Sequence, residues 1–208
     1  IKLGVINFAF PGVQSFHPNP ESWFKKGGGP VIDMGPYYFT ALVNLLGPAK
    51  SVCANATKVH DYRNIETGQK KGNKFEVEIP TSIMGSIEFK SSAVIQIFLS
   101  FDVINHQRNH IELYGTKGSM IVPDPNMFGG SVFSSYSESG EWKEYSSSNM
   151  LIGKTNIFNK SVRSNEQPEV ANYRGVGLSE MIDAIENKRT NRCNGKLSLH
   201  VLDMIDST

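Results

Sequence analysis

Cysteine is scarce in this sequence. The 208 residues include two cysteines, Cys53 and Cys193, and these match no metal-ligand spacing. A disulfide framework needs more cysteines at regular spacings, so the small disulfide-rich secreted folds are excluded. A reducing compartment, the cytoplasm, is the resulting expectation.

Long apolar runs and an excess of one charge are also missing. No stretch approaches the roughly 20 apolar residues of a membrane-spanning helix, and the apolar start of the chain has no cleavage pattern. The formal net charge is +1, without a basic cluster. This balance argues against nucleic acid or an anionic membrane as the main partner, and it favours a small neutral ligand.

A dinucleotide-binding fingerprint is the third absence. The only dense glycine run, Gly27 to Gly29, lacks the G-x-G-x-x-G spacing, and no acidic residue follows it at the distance that binds a ribose. The sequence also starts at Ile1, without an initiator Met, directly in a strand-like alternation. The sequence therefore predicts no dinucleotide-binding site of this type within residues 1–208.

The segment GGGPVIDMGPYYFTALVNLLGP predicts a helix that begins beside a glycine-rich loop. Pro30 suits the first turn, and Gly47 followed by Pro48 is a stop signal. Pro36 predicts either a kink or a helix that starts near Pro36. In both cases Asp33 and Tyr37, four residues apart, share one face. The alternative is structural, with Asp33 as a helix cap and Tyr37 in the core.

Alternating patterns predict strands through the middle of the chain. Ile83 to Phe89 and Ala93 to Phe101 form one antiparallel hairpin, and residues 111–122 form a second. Val5, Val52 and Val77 mark further strands. Short strands are predicted around Ser131 to Ser134 and Trp142 to Tyr145, within the long loops of residues 124–170.

Helical stripes near the C-terminus complete the prediction of secondary structure. The first consists of Leu178, Met181, Ile182 and Ile185, and the second of Leu197, Val201, Met204 and Ile205. These elements predict an α+β fold, a largely antiparallel open sheet with helices packed on one face. The other face, with Met84, Val94 and Phe98, is half apolar and is either a dimer interface or covered by the 124–170 segment.

Several segments resemble the glucose-fructose oxidoreductase and inositol dehydrogenase family. The family's substrate domain carries a glycine-rich loop, an Asp, and a His or Tyr four positions later, which here are Asp33 and Tyr37. The likeness continues through SFHPNPESWF before the loop, SFDV at Ser100 to Val103, HIELYGTKGSMIVPDPN at His110 to Asn126, and KLSLHVLDMI at Lys196 to Ile205. It spans nearly the whole chain. Because the family's enzymes begin with a Rossmann domain that binds the dinucleotide, the resemblance implies that residues 1–208 are the C-terminal substrate-binding and oligomerisation domain, without that N-terminal domain.

The resemblance implies hydride transfer between NAD or NADP and a hydroxyl group of a sugar or cyclic polyol. Tyr37 is then the acid–base group, and Asp33 orients the substrate hydroxyl or a lysine from the missing domain. A free phenol has a pKa of about 10, so that lysine must stabilise the phenolate. Gly27, Gly28 and Gly29 let the cofactor approach. No metal is required.

The resemblance also implies substrate contacts and sheet-to-sheet dimers. The turn after the SFDV strand lies beside the substrate cleft in the family, so Asp102, His106 and Arg108 are candidates for bonds to substrate hydroxyls. His17, which precedes the glycine run, is likewise a candidate for a bond to a substrate hydroxyl. A solvated turn is the alternative, and a metal pair of His106 and His110 is disfavoured because no third ligand lies nearby.

Two other functions stay open at this stage. The domain could be a non-catalytic sugar-binding or oligomerisation module, since a fold does not fix a function. It could also belong to an NAD-dependent glycosidase of the same family, which cleaves a glycosidic bond through transient oxidation.

Overall fold

The computed structural model describes residues 1–136, 140–150, 152–158 and 169–208. The helices are α1 (Pro30–Leu46), α2 (Val176–Glu186) and α3 (Gly195–Asp206). The strands are β1 (Leu3–Ala9), β2 (Ala49–Thr57), β3 (Tyr62–Asn64), β4 (Lys74–Glu76), β5 (Ser82–Phe89), β6 (Val94–Ser100), β7 (Ile111–Tyr114), β8 (Gly118–Val122), β9 (Ser131–Tyr136), β10 (Trp142–Ser146), β11 (Ile157–Phe158) and β12 (Glu169–Val170).

Eight of these strands form one open sheet in the order β10-β9-β8-β7-β1-β6-β5-β2. β1 runs parallel to β6, and the other neighbours in this sheet are antiparallel. The predicted hairpins are β5–β6 and β7–β8, and the short predicted strands are β9 and β10 at the edge of the sheet. The prediction of an α+β fold with a largely antiparallel open sheet is confirmed.

The strand predicted at Val77 is displaced. Val77 follows β4, which pairs with β3 in a separate hairpin, and its side chain is fully buried. It packs in a small second core with Val13, Phe24 and Phe101. This small core lies under the loop that leads into α1, so it supports the entrance of that helix.

The main core lies between one face of the sheet and helices α1 and α3. Alternate residues of β6 point into it, and Ile95, Ile97 and Leu99 are fully buried. On α1 the buried set includes Tyr38, Phe39 and Leu42. Each such large apolar side chain contributes about 1.5–3 kcal/mol when it is fully buried. These contacts fix α1 against the sheet.

Helix α2 differs from the expectation that its apolar stripe packs inward. Leu178, Met181, Ile182 and Ile185 are all exposed, Ile185 to 71%. The stripe of α3 is buried, because Val201 and Met204 join the main core. Amphipathic spacing therefore predicted both helices correctly. It predicted a buried apolar face correctly for α3 but not for α2.

Among the described residues, the opposite face of the sheet carries several exposed apolar side chains. Register places Met84 of β5 beside Phe98 of β6, and Val94 beside Leu3 of β1. Met84, Val94 and Leu3 are exposed, and Phe98 is partly so. The apolar character of this face, predicted from the alternation, is confirmed. The alternative that the 124–170 segment covers it falls in part outside the described residues and stays a prediction.

Candidate active site

The glycine loop has a backbone that glycine alone accepts without strain. Gly27 and Gly29 have φ values of 90° and 103°, in the left-handed region that disfavours side chains. A Cβ at Gly28 would lie 2.6 Å from the carbonyl oxygens of Ser22 and Trp23. The loop is closed by the Gly28 N–H, which donates to Lys25 O at 2.8 Å, and by the Gly29 N–H, which donates to Trp23 O at 2.8 Å.

Helix α1 begins directly after this loop. Gly29 is the N-cap and Pro30 the first helical residue, so the alternative of a helix starting near Pro36 is wrong. Asp33 is not the cap either: its backbone N–H donates to Gly29 O at 3.0 Å, inside the first turn. No side chain caps the helix, which leaves the first N–H groups beside the cleft described next.

Asp33 opens onto a cleft of about 310 Å³. The cleft is lined by Ser22, Trp23, Gly27, Gly28, Gly29, Ile32 and Asp33. The indole Nε1–H of Trp23 donates to Asp33 Oδ1 at 3.3 Å. Burial raises the pKa of Asp33 above its ordinary value, and the Trp23 hydrogen bond partly opposes this rise. The cleft therefore holds one carboxylate whose hydrogen-bond partner is neutral.

Tyr37 lies one helical turn after Asp33. It is 38% exposed, whereas the next residue, Tyr38, is fully buried. Residues four apart on a helix have neighbouring side chains, so the Tyr37 phenol and the Asp33 carboxylate share one exposed face. The alternative that places Tyr37 in the core is wrong; Tyr38 occupies that place.

His17 lies against the cleft from the preceding loop. Its ring centroid is 4.7 Å from that of Trp23, at an interplanar angle of 55°. The backbone N–H of Asn19 donates to His17 Nδ1 at 3.1 Å, so the other ring nitrogen carries the proton when the ring is neutral. The structure thus brings His17 and Asp33 together through Trp23.

Asp102 does not reach the cleft surface. Its side chain is 5% exposed and forms an ion pair with Arg63, itself 8% exposed. Thr81 Oγ1 donates to Asp102 Oδ2 at 2.7 Å, and Ser82 Oγ donates to the same oxygen. Both carboxylate oxygens are occupied within the protein. The expectation that Asp102 binds substrate hydroxyls is therefore corrected to a structural role.

His106 is also engaged by backbone groups. The N–H of Arg108 donates to His106 Nδ1 at 3.1 Å, and Nε2 lies 3.1 Å from Ala9 O. The ring is therefore the Nε2–H tautomer, and it ties the turn to the end of β1. The side chain of Arg108 is exposed on this turn. Neither residue lines the cleft.

Two groups in this region were missed by sequence reasoning. Trp23 lies in the segment SFHPNPESWF, and nothing in the local sequence identifies its partner ten residues later. The Tyr38 hydroxyl lies 2.8 Å from His110 Nδ1, and burial, followed by the nearby Asp124 carboxylate, raises the pKa of Tyr38 far above its ordinary value. Tyr38 is thus a protonated phenol that anchors α1.

The chain is similar in fold to several solved oxidoreductase structures. The chain is similar to levoglucosan dehydrogenase in complex with NADH, at 16% identity and a TM-score of 0.68, covering 99% of this chain and 54% of that one. It is similar to aldose-aldose oxidoreductase from Caulobacter crescentus complexed with glycerol, at 18% identity and a TM-score of 0.62, covering 99% and 51%. An Agrobacterium radiobacter oxidoreductase in complex with NAD+, L-tartaric acid and magnesium gives 10% identity and a TM-score of 0.62, covering 99% and 52%.

These likenesses show the fold. The chain spans about half the length of each of these three structures. A search of curated proteins finds no match. Within the part of the chain that the structure describes, no helix is long and apolar enough to cross a membrane.

The family is shown by the sequence itself. A family model described as the GFO/IDH/MocA C-terminal domain matches residues 2–121. The match includes the glycine loop, all of α1, and strands β1 to β7. This chain therefore belongs to the GFO/IDH/MocA C-terminal domain family.

Proposed function

We propose that this chain is the substrate-binding domain of an NAD(P)-dependent oxidoreductase. The reaction is hydride transfer between the nicotinamide and a hydroxyl-bearing carbon of a sugar or cyclic polyol. One observation carries the proposal: the half-buried carboxylate of Asp33 opens onto a glycine-lined cleft, with the phenol of Tyr37 one helical turn away. Two of the similar structures are named as carbohydrate oxidoreductases, which supports the substrate class.

The coenzyme belongs to a Rossmann domain that we place N-terminal to this chain in a longer protein. The glycine loop fits its approach, because an atom added at the Gly27 Cα would meet nothing within 4 Å. The bound nicotinamide supplies the hydride acceptor. The task left to this chain is to bind the alcohol and to move its proton.

In the oxidation direction we assign the proton transfer to Tyr37. The alcohol carbon loses hydride, and the hydroxyl proton passes to the Tyr37 oxygen, whose phenolate form requires a lysine from the other domain. Asp33 accepts a hydrogen bond from a second hydroxyl, or from that lysine, and so fixes the ring. Among the described residues, the cleft lining has no cationic side chain, so this chain itself supplies no partner for the acid group of a sugar acid.

A screen of the full-length protein tests the reaction class. Neutral sugars and inositols are supplied with NAD or NADP, and absorbance of the reduced nicotinamide is followed. We expect turnover with at least one neutral cyclic polyol and weaker turnover with the matching sugar acids. If no compound of the panel is turned over, the result would favour the non-catalytic module. Product analysis on glycosides separates dehydrogenation from the glycosidase alternative.

The assignment of Tyr37 is tested by Tyr37→Phe. We expect kcat to fall by about 10²–10⁴-fold, the usual range for a general acid or base, with the domain still folded. Tyr62→Phe is the matched control, because Tyr62 is also exposed but lies on β3. Near-normal turnover of the Tyr37 variant would remove this residue from the mechanism.

The open sheet face is proposed as the surface of a homodimer. Its exposed apolar residues include Leu3, Met84, Val94, Tyr114 and Trp142. An exposed, half-apolar sheet face is more often an interface than an ordinary solvent-exposed surface. It is also the observation that favours the oligomerisation module as a second candidate function, with or without catalysis.

Light scattering on Met84→Lys tests this dimer. Met84 is 53% exposed on β5, beside Phe98 on this face, so the added charge should shift the protein toward monomer. Ile104→Lys is the control, because Ile104 is 87% exposed in the loop after β6. A monomeric wild-type protein, or an unchanged Met84→Lys dimer, would exclude this interface.

A further inference from the structure

We propose that Trp23 is a positioning residue that holds the Asp33 carboxylate by one oxygen and leaves the other for a ligand hydroxyl. This inference rests on the proposed function. It identifies the group that orients the Asp33 carboxylate, the proposed acceptor for a substrate hydroxyl. Trp23 donates to Oδ1 of Asp33 at 3.3 Å. Among the described residues, Oδ2 of Asp33 has no hydrogen-bond partner.

The chemistry of the donor matters here. An indole N–H donates but cannot accept, and it carries no charge. Because Trp23 is neutral, the carboxylate keeps its full negative charge and remains a strong acceptor. The titratable groups around this pair include His17, packed on the indole, Tyr37, one turn along α1, and Glu21 and Lys25, two residues either side of Trp23. No ion pair joins Asp33 to a described residue, unlike Asp102.

The backbone of Trp23 is held at both ends. It lies in a short 3₁₀ helix, Glu21–Phe24, where its N–H donates to Pro20 O at 3.1 Å. Its carbonyl accepts from the Gly29 N–H at 2.8 Å. The next residue, Phe24, is fully buried in the second core. One residue therefore joins the glycine loop, the start of α1 and the acceptor carboxylate.

The same geometry predicts how Asp33 responds to loss of Trp23. Burial disfavours the charged carboxylate, and the indole hydrogen bond opposes that effect. Removal of the N–H should raise the pKa of Asp33 further, because the charged form loses its donor. A purely structural tryptophan would leave this titration in place.

Nuclear magnetic resonance of the 208-residue chain tests the contact without any enzymatic assay. The sequence has two tryptophans, so two indole N–H signals are expected. The Trp23 signal should shift as Asp33 titrates, and this shift should disappear in Asp33→Asn. The Trp142 signal is the internal control, because Trp142 is half exposed on β10. A Trp23 signal that does not titrate, or that still titrates in Asp33→Asn, would overturn the proposal.

Kinetics of the full-length protein provide the second test. Trp23→Phe keeps an aromatic ring but removes the N–H, so we expect kcat/KM to fall roughly tenfold. We also expect the decrease of kcat/KM at acidic pH to begin at a higher pH than in the wild type. In an Asp33→Asn background the same change should have no further effect. Tyr62→Phe, which changes an exposed ring on β3, is the control. A Trp23→Phe effect of equal size in both backgrounds would show that Trp23 does not act through Asp33.

The two tests separate this inference from the proposed function. A titrating indole in a protein without dehydrogenase activity would support the Trp23 contact and count against the reaction. An active enzyme whose Trp23→Phe variant keeps the wild-type pH profile would support the reaction and overturn the contact's role.

Discussion

Asp33 and Asp102 were both candidates for the substrate cleft, and the structure separates them by their partners. Asp102 is paired with Arg63 and accepts from Thr81 and Ser82. Asp33 has a single neutral donor, Trp23, and opens onto a cleft. A carboxylate whose oxygens are all satisfied inside the protein stabilises the fold. One that is only partly satisfied at a cleft is available to a ligand.

The neighbouring tyrosines follow the same rule. Tyr38 is buried and its hydroxyl is paired with His110, whereas Tyr37 is exposed beside Asp33. A helix turns by about 100° per residue, so adjacent positions face different surroundings. The Tyr38 phenol therefore anchors α1 to the sheet, and the Tyr37 phenol lies on the exposed face of the helix.

The largest expected effect on stability is that of Asp102→Ala. This change leaves Arg63 as a buried charge without its partner, which costs about 3–5 kcal/mol. Urea unfolding followed by circular dichroism measures the loss. Asp61→Asn is the control, because the Asp61–Lys58 pair is exposed and its removal should be undetectable. If Asp102→Ala unfolds at the same urea concentration as the wild type, the claim that Asp102 stabilises the fold while Asp33 does not would be contradicted.

A smaller loss is expected for Tyr38→Phe. The Nδ1 atom of His110, in a partly buried pair, loses its partner at the hydroxyl, which costs about 1–2 kcal/mol in the free energy of unfolding. Tyr37→Phe, the matched change one position earlier, should have almost no effect on stability. Equal losses in the two variants would contradict the division of roles between these phenols.

The smallest expected effect on stability is that of Asp33→Asn. Unlike the change at Asp102, it is not expected to destabilise the protein at neutral pH. The pKa of Asp33 is raised in the folded state above the ordinary value of 3.8, so folding favours the protonated form. Stability from this group is present below that value and is lost as pH rises through the folded pKa.

Asp33→Asn should therefore be as stable as the wild type at neutral pH, or more stable by less than about 1 kcal/mol. The difference between the two proteins should shrink toward acidic pH. Urea titrations at several pH values measure it. A large destabilisation at neutral pH would place Asp33 with Asp102 among the structural carboxylates.

Local signals explain why much of the fold was predictable. Gly29-Pro30 and Gly47-Pro48 set the ends of α1 because their backbone preferences act within a few residues. Alternation set the two hairpins, whose partners are close in sequence. The parallel pairing of β1 with β6 joins residues about ninety positions apart, and no local pattern encodes it. The exposure of the α2 stripe has the same cause, since spacing does not reveal what packs against a helix.

The site was predictable where it lies on one element. Asp33 and Tyr37 are both on α1, so helical geometry alone brings them together. Asp102 was misassigned because its partner Arg63 lies on β3, thirty-nine residues earlier. Trp23 was missed because its link to Asp33 crosses the glycine loop. Contacts between elements decide which polar residue is satisfied, and those contacts appear only in the folded structure.

The most direct test of this account is the activity of Asp33→Asn in the full-length protein, measured beside its stability in one preparation. The account predicts that kcat/KM on the best neutral polyol falls at least about a hundredfold, while the urea midpoint stays at or above that of the wild type. Near-normal kcat/KM in the folded Asp33→Asn variant would contradict the claim that this carboxylate is the ligand-facing group of the cleft.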